Sequence, residues 1–288
     1  MLRFIIPTGS LADAVRTYLR IAGYDVLLPS RSGLCGVVNG VEFWQLDRRT
    51  VPKFLEQADY HAGITGSDLL LDNSLGKLDL EQICALKFSR SSEQPTRWVL
   101  AKRAGEIFPQ EHEVFIGCEL PKFAKHMLRG MKFRYHIVQI SGSEEQCVRE
   151  GIVDMILVVT ETGSSLKANG LEIVPGCECL FESTPVIIAR PDLDRKVRQD
   201  LDSLAAALRS AVGAKRRVMV FFDIKNSVDL EALKLPSSVA PTVASLTDDQ
   251  WRSCTICIPI SEQGRVLVQL ESAGARGIVV MPVQGYIA

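Results

Sequence analysis

Residues 140–171 of the chain, ISGSEEQCVREGIVDMILVVTETGSSLKANGL, decide the fold. The apolar run 155–159 (MILVV) is typical of a buried β-strand, the glycine- and hydroxyl-rich segment 160–165 ends it, and Asn169-Gly170 can end the helix that follows. A strand, a turn and a helix in this order leave unpaired backbone N–H groups at the helix start, which favours an anion there. A structural turn with a serine cap has the same letters, so a phosphate site and a plain turn are both open.

Composition and charge narrow the functional classes. The chain has 288 residues, 47% hydrophobic and 23% charged, which predicts two or three globular domains. A net charge of −1 without a basic block argues against nucleic acid or an anionic membrane as the partner. The sequence shows no apolar run of about 18 residues and no signal-peptide pattern. We therefore expect a cytoplasmic protein that does not enter a membrane.

The cysteines and histidines give no clear metal pattern. The eight cysteines are at positions 35, 84, 118, 147, 177, 179, 254 and 257. A zinc site would require the two distant pairs, 177/179 and 254/257, to meet in tetrahedral geometry, so we predict that these cysteines are small buried hydrophobic residues. His61, His112, His126 and His136 lack the spacing of metal ligands, and core packing is the expected role of the tryptophans.

Strands and helices alternate along most of the chain, which predicts an α/β fold. A strand at residues 2–6 is followed by a turn with Gly9 and Ser10 and by an amphipathic helix, and a second strand, turn and helix occupy residues 62–70 (AGITGSDLL). Glycine- and hydroxyl-containing turns at two strand ends indicate a ligand crevice. From residue 216 the order becomes β-α-β-β-α-β, with a first helix predicted at residues 227–235, which is the ferredoxin-like arrangement.

Three separated motifs are residues 151–154 (GIVD) with 162–171 (TGSSLKANGL), the GITGxD segment 63–68, and residues 273–283 (AGARGIVVMPV). Together they resemble the long form of ATP phosphoribosyltransferase, the first enzyme of histidine biosynthesis. The resemblance implies a two-lobed catalytic core of the periplasmic-binding-protein fold and a regulatory ferredoxin-like (ACT-like) domain. Lobe I would comprise residues 1–95 and 185–213, lobe II residues 96–184, and the regulatory domain residues 216–288.

The resemblance also implies the chemistry. Phosphoribosyl pyrophosphate (PRPP) and ATP would be the substrates, Mg²⁺ the cofactor, histidine an allosteric inhibitor, and a homo-oligomer, dimer or hexamer, the assembly. The residues it assigns to catalysis are Asp154, Glu145 and Arg97. Those it assigns to substrate binding are Thr162, Gly163, Ser164, Ser165, Leu166, Gly9, Gly66 and Asp68.

Three of these assignments have structural alternatives. Asp154 can hold the ribose or pair locally. Arg97 can contact pyrophosphate or extend to solvent from its strand. Glu145 can hold substrate or magnesium, or be an ordinary surface residue.

Several positions depart from the pattern of this family. Thr8 and Ser10 stand where the first turn usually carries Lys and Arg, and Val158 stands where a second acid would hold the ribose hydroxyls. Glu161 replaces a usual Ser, and its carboxylate would repel a phosphate 4 Å away by roughly 4 kcal/mol per unit charge at an effective dielectric near 20. Residues 45–48 (QLDR) replace a basic stretch, and Cys118 replaces a usual Thr.

Two functions therefore remain open. The first is the family's activity. The second is that of a divergent paralogue that binds or transforms another nucleotide or phosphorylated ligand, or serves as a non-catalytic binding or regulatory subunit.

Overall fold

Buried apolar strands form the frame that positions the site. The computed structural model describes residues 1–27, 29, 31–75, 78–88, 96–108, 113–237 and 240–287, with only the backbone of Ser10. The chain forms two units, residues 1–16 with 26–202 and residues 17–25 with 203–288. No helix in these described ranges combines the length and the apolar content needed to cross a membrane.

The described strands and helices have the following bounds. The strands are β1 (Leu2–Pro7), β2 (Gly33–Val38), β3 (Val41–Leu46), β4 (Ala62–Gly66), β5 (Glu81–Ala85), β6 (Thr96–Arg103), β7 (Val114–Cys118), β8 (Tyr135–Gln139), β9 (Met155–Thr160), β10 (Leu171–Ile173), β11 (Phe181–Ser183), β12 (Pro185–Ala189), β13 (Arg217–Lys225), β14 (Thr242–Ser245), β15 (Trp251–Pro259) and β16 (Arg276–Pro282). The helices are α1 (Ala12–Ile21), α2 (Val51–Gln57), α3 (Ser67–Ser74), α4 (Pro121–Met127), α5 (Glu144–Arg149), α6 (Ser164–Ala168), α7 (Arg195–Ala214) and α8 (Gln263–Ser272).

The first sheet has the strand order β2-β3-β1-β4-β12-β5. Strand β1 is parallel to β3 and β4, and it is almost wholly buried because its sequence, LRFIIP, is apolar on both faces. Strand β12 returns antiparallel between β4 and β5. The carboxyl ends of β1, β3 and β4 therefore meet at one edge of this sheet.

The second sheet has the order β10-β6-β9-β7-β8, with β11 also paired to β6. Strand β7 is parallel to β8 and β9, so these three strands also end at a common edge. Trp98 and Phe123 pack in its core with ring centroids 4.8 Å apart, and Leu69 of α3 belongs to the same cluster. The expected two-lobed α/β architecture is confirmed.

The C-terminal sheet has the order β14-β15-β13-β16, and its pairs are antiparallel. Helix α8 covers one face with Val266 and Leu270, which are fully buried. This is the strand order of a ferredoxin-like domain, as the sequence predicts. Val239, at the start of one predicted strand, lies outside the described residues.

The helix predicted at residues 227–235 was wrong, because this segment forms a series of turns. The Asp229 carboxylate accepts the Glu231 N–H at 3.0 Å, and this local bond competes with helical bonding. Lys234 has a φ of 45°, which no helix accommodates. The leucines that suggested helical periodicity still pack against the domain core from the turns.

Candidate functional site

A cavity of about 470 Å³ lies where the carboxyl ends of the first and second sheets face each other. It is lined by residues 8–9, 47–49, 98, 119, 141–142, 144–145 and 157–159. Most of these segments directly follow, or end, the parallel strands β1, β3, β7, β8 and β9. Ligands in open α/β folds bind at this edge, so the cavity is the candidate active site.

Two arginines enter the cavity from the turn after β3. The turn is rigid because Asp47 accepts the Arg49 N–H with its carboxylate at 2.9 Å and the Thr50 hydroxyl with its carbonyl at 2.8 Å. The buried Thr65 hydroxyl donates to the Arg48 carbonyl at 3.1 Å. Arg48 and Arg49 are therefore fixed at their backbone.

Glu119, which follows β7 of the second sheet, faces both arginines. Its Oε2 lies 3.3 Å from Arg48 Nη2 and its Oε1 lies 3.2 Å from Arg49 Nη1. We call this pair of contacts the ionic link. The side chain of Glu119 is 18% exposed and that of Arg49 is 48% exposed, so water reaches the link from one side.

Asp47 binds the same arginine from the first sheet. Its two oxygens lie 3.0 and 3.1 Å from Arg49 Nε and Nη2. The side-chain hydrogen bond from Arg49 is the main reason that the pKa of Asp47 falls below its usual value, and Asp47 in turn raises the pKa of Arg49. Both groups are therefore charged at neutral pH.

The lining carries more negative than positive charge. The cavity residues include two arginines against four carboxylates, which are Asp47, Glu119, Glu144 and Glu145. A polyanionic ligand must therefore separate Glu119 from the arginines, bring cations with it, or do both.

The loop after β9 is connected to the cavity through Glu145. The Ser165 hydroxyl donates to Glu145 Oε1 at 2.8 Å. Within the loop, Gly163 has a φ of 75° and its N–H donates to the Thr160 hydroxyl at 2.8 Å. Thr162 and Ser164 bond to each other through their hydroxyls at 2.9 Å. The loop is thus an ordered turn with exposed hydroxyl groups beside the site.

The residues assigned from the sequence do not all meet in the cavity. Gly9 and Glu145 line it, as do the substituted positions Thr8 and Val158. Gly66 and Asp68 instead line a smaller adjoining space, which shares Arg48 and Val159 with the main cavity; Val159 and Arg48 thus connect the two.

Asp68 has a structural partner for each carboxylate oxygen. Oδ2 accepts the Trp98 Nε1–H at 2.9 Å, and Oδ1 accepts the Leu69 N–H at 2.9 Å. We call the Asp68–Trp98 bond the buried link, because these residues are 7% and 2% exposed. A Cβ on Gly66 would lie 2.1 Å from Asp68 Oδ1, so glycine is required there by this carboxylate.

Three of the assigned residues lie outside the cavity lining. Asp154 precedes β9 at the end opposite the cavity, where its Oδ2 accepts the Phe115 N–H at 2.8 Å. Arg97 is not among the lining residues, but it pairs with Thr160 at the end of β9 that faces the cavity. Leu166 is 2% exposed and packs in the core of the second sheet.

The structure shows the contacts of two residues, Glu161 and Val158, at which the chain departs from the family pattern. Glu161 Oε1 lies 3.5 Å from the Thr96 hydroxyl, which donates to it across the strands. Val158 is 9% exposed and packs with Val99 and Leu166, so it offers the cavity an apolar surface. The ribose contact that the resemblance places at residue 158 is absent from this side chain.

Seven of the eight cysteines, all described, are buried or half-buried, as predicted, but Cys179 is exposed, so that prediction was wrong for it. Cys118 and Cys177 belong to the core of the second sheet and Cys254 to that of the C-terminal sheet, and burial raises the pKa of Cys118 to about 12. His61 Nδ1 accepts the Arg3 N–H at 2.9 Å. His112 lies outside the described residues. Across the rest, no cluster of three or more His, Cys, Asp or Glu side chains has metal-binding geometry.

Sequence reasoning missed Arg48, Arg49 and Glu119. It took residues 45–48 as a loss of positive charge, yet the arginine pair directly after strand β3 was the available signal. Thr8 N–H donates to the Leu46 carbonyl at 2.8 Å, so this pair lies beside the turn after β1 that lacks cations. The structure therefore keeps two cations in this half of the cavity.

Comparisons with known proteins agree along the chain. A family model described as ATP phosphoribosyltransferase (HisG) matches residues 48–210, and the HisG C-terminal domain matches residues 214–285. ATP phosphoribosyltransferase 1 of Geobacter sulfurreducens is 34% identical over 100% of this chain and 99% of its own length, and ATP phosphoribosyltransferase of Trichlorobacter lovleyi is 32% identical over the same shares. A solved chain of the ATP phosphoribosyl transferase (HisG:HisZ) complex from Thermotoga maritima is 26% identical, with a TM-score of 0.59 over 73% of this chain and 96% of that chain.

Proposed function

Because the chain belongs to the ATP phosphoribosyltransferase family, we propose that it transfers the phosphoribosyl group of PRPP to ATP and releases pyrophosphate, the first step of histidine biosynthesis. The observation that carries this proposal is the 470 Å³ cavity between two sheet edges, with Arg48 and Arg49 inside it. The three separate sheets support the division into lobe I, lobe II and a C-terminal domain given above. A cytoplasmic location and a homo-oligomeric assembly belong to the same proposal.

The chemistry requires charge stabilisation rather than a protein nucleophile. A ring nitrogen of ATP forms a bond to C1′ of the ribose as the bond from C1′ to the pyrophosphate oxygen breaks, and the bonding electrons leave with pyrophosphate. Arg48 and Arg49 would bind the developing negative charge on that leaving group. Glu145 and the hydroxyls of residues 162–165 would orient the phosphoribosyl part.

The family uses metal ions, and we propose Mg²⁺ for this chain. Mg²⁺ in such sites binds one or two carboxylates and the substrate's phosphate oxygens. The lining fits that mode of coordination, since it includes the Glu145 carboxylate, which lies beside the hydroxyl-bearing loop after β9. When bound, the ion neutralises phosphate charge, and Glu145 is the residue that would hold it.

We propose that the C-terminal domain binds histidine as a feedback inhibitor. It contains a cavity of about 510 Å³ lined by Asp229, Glu231 and Arg252, among others. The buried Arg252 Nε has no hydrogen-bond partner, whereas Nη2 donates to the Val228 carbonyl at 2.5 Å. A guanidinium and two carboxylates in the lining of one cavity suit an amino acid, whose carboxylate and ammonium groups need opposite charges.

The excess of carboxylates favours a second candidate, a paralogue whose cleft holds a less anionic ligand without the family's reaction. The four carboxylates repel a polyphosphate, and the apolar surface of Val158 offers no hydrogen bond to a ribose. In that case the ordered loop around Gly163 would have only a structural role.

A turnover assay with PRPP, ATP and Mg²⁺ separates the two candidates. We expect pyrophosphate release by the wild type and a loss of about 100-fold or more in the Arg48→Gln/Arg49→Gln double variant. Arg190→Gln, which removes an arginine paired with Asp192 outside the cavity, is the control and should retain full activity. A folded wild-type protein that neither binds PRPP nor releases pyrophosphate would favour the paralogue.

Histidine regulation requires its own test. Calorimetric titration of the full chain with histidine should show binding that Arg252→Gln weakens at least tenfold, since one charge-assisted contact is lost. Arg265→Gln, on the exposed face of α8, is the matched control. Equal histidine affinity in wild type and Arg252→Gln would remove this cavity as the site.

A further inference from the structure

Glu119 holds the position that an anionic ligand group would take. Its two oxygens each contact a different guanidinium, Arg48 at 3.3 Å and Arg49 at 3.2 Å. A pair of anionic oxygens spanning two guanidiniums is also what a diphosphate presents. The protein thus satisfies its own arginines with a carboxylate from the opposite sheet.

Both ends of the ionic link are rigid. The arginines extend from the turn tied by Asp47 and Thr65. Glu119 follows a strand end that is held by the Leu120 N–H, which donates to Cys118 Sγ at 3.3 Å. Withdrawal of Glu119 from the arginines therefore requires a new side-chain rotamer or a relative movement of the two sheet edges.

A ligand can displace Glu119 from Arg49 more easily than it can displace Asp47. It lies two residues from Arg49 in the same turn and binds both its backbone and its side chain. Glu119 is 70 residues away, and its contacts with Arg48 and Arg49 are to their side chains. Of the two carboxylates on Arg49, Glu119 is the one that a ligand can displace.

We propose that Glu119 is a specificity-determining residue that competes with the ligand for Arg48 and Arg49. This inference rests on the proposed function for the identity of the ligand group, which is the diphosphate of PRPP or the released pyrophosphate. A single carboxylate or a monophosphate offers little beyond what Glu119 already supplies. A diphosphate carries more charge and more oxygens, so it displaces Glu119 from the two arginines. Smaller anions do not displace Glu119 and therefore bind weakly.

The test is calorimetric titration of the full chain with inorganic pyrophosphate. Glu119→Gln keeps the shape of the side chain and removes its charge, so we expect pyrophosphate to bind about tenfold tighter than in wild type, with inorganic phosphate also gaining affinity. Glu119→Asp has a shorter side chain that reaches the two arginines less well. Its affinity for pyrophosphate should therefore lie between those of the wild type and Glu119→Gln. A thermal unfolding midpoint for each variant verifies that it is folded.

Glu144→Gln is the matched control. It removes the same charge from the same cavity, but Glu144 bonds to the Gly142 N–H at 3.1 Å and to neither arginine. We expect its affinity for pyrophosphate to rise less than about threefold. Equal gains in Glu119→Gln and Glu144→Gln would overturn the proposal, because the effect would then be the general charge of the cavity.

The outcomes also separate this inference from the proposed function. An unchanged or absent pyrophosphate affinity in Glu119→Gln overturns the role of Glu119, even if the wild type releases pyrophosphate from PRPP and ATP. A tenfold gain in a protein without turnover supports the role of Glu119 and contradicts the proposed activity.

Discussion

Two of the contacts that join the first and second sheets use the same chemistry, a carboxylate with N–H donors, in opposite surroundings. The buried link between Asp68 and Trp98 is nearly sealed from water and satisfies a neutral indole donor. The ionic link between Glu119 and the arginines is partly hydrated, at the wall of the cavity. The first resembles core structure, whereas the second can exchange its carboxylate for a ligand.

The difference also shows that two carboxylates near the cavity can have very different partners. Asp68 lies in the GITGxD segment and was assigned to substrate binding, yet its oxygens are used by Leu69 and Trp98. Glu119 lies in no recognised motif but faces the cavity. Burial and hydrogen-bond partners, which the local sequence pattern does not show, distinguish the two carboxylates.

The largest effect is expected from Asp68→Ala. It leaves the Trp98 Nε1–H and the Leu69 N–H buried without their acceptor, so the free energy of unfolding should fall by about 3 kcal/mol. Urea denaturation followed by tryptophan fluorescence measures this loss. Asp68→Asn, which keeps one acceptor oxygen, should lose less. An Asp68→Ala protein of normal stability that fails to bind PRPP would contradict this structural role and support the ligand-binding assignment.

Gly66→Ala should also disrupt the buried link, by pushing the Asp68 carboxylate out of place. Its Cβ would lie 2.1 Å from Asp68 Oδ1 and must displace the carboxylate, which predicts a loss of about 2 kcal/mol in unfolding free energy. In an Asp68→Ala background the same substitution should cost much less, because the clashing group is gone. Additive losses in this double-mutant cycle would contradict the proposed cause.

The sequence predicted the architecture well because apolar periodicity is a local signal. The buried runs of β1, β4 and β9 and the order of the ferredoxin-like domain follow from it. The strands it did not predict, β2, β5, β10 and β11, are short or glycine-containing and lie mostly at sheet margins. Pairing with a neighbouring strand defines them, and pairing is not visible in a local pattern.

The site was less predictable because it depends on which strand end each residue occupies. Asp154 and Val158 belong to one short segment, but Asp154 directly precedes β9 whereas Val158 lies in its second half, and only Val158 lines the cavity. The distance between the two is about 13 Å, from a rise of roughly 3.3 Å per residue. The ionic link joins residues 70 positions apart on different sheets, so no motif could show it.

Arg49→Gln should affect stability less than either change at the buried link. It removes partly exposed ion pairs with Glu119 and Asp47, so we expect a loss of at most about 1 kcal/mol at low salt. In 1 M NaCl, where the Debye length is about 3 Å, most of that loss should disappear. Asp68→Ala should cost the same at both salt concentrations. A salt-independent loss for Arg49→Gln would mean that packing, rather than charge, holds the ionic link.

The smallest expected effect is the change in stability of Asp47→Asn with pH. Because Arg49 lowers the pKa of Asp47 in the folded protein, ionised Asp47 stabilises the fold above the pKa of the unfolded chain, about 3.9, and this contribution is lost as the pH falls through the lower folded-state value. Asp47→Asn should therefore be slightly less stable than wild type at pH 7, by less than about 1 kcal/mol because the pair is partly exposed, and the difference should be smaller at pH 2. Denaturant titrations of both proteins at the two pH values measure it. A difference of the same size at both pH values would show that Asp47 acts through its hydrogen bonds in the turn after β3 and not through its charge. Asparagine has only one acceptor oxygen and cannot make every hydrogen bond that Asp47 makes there.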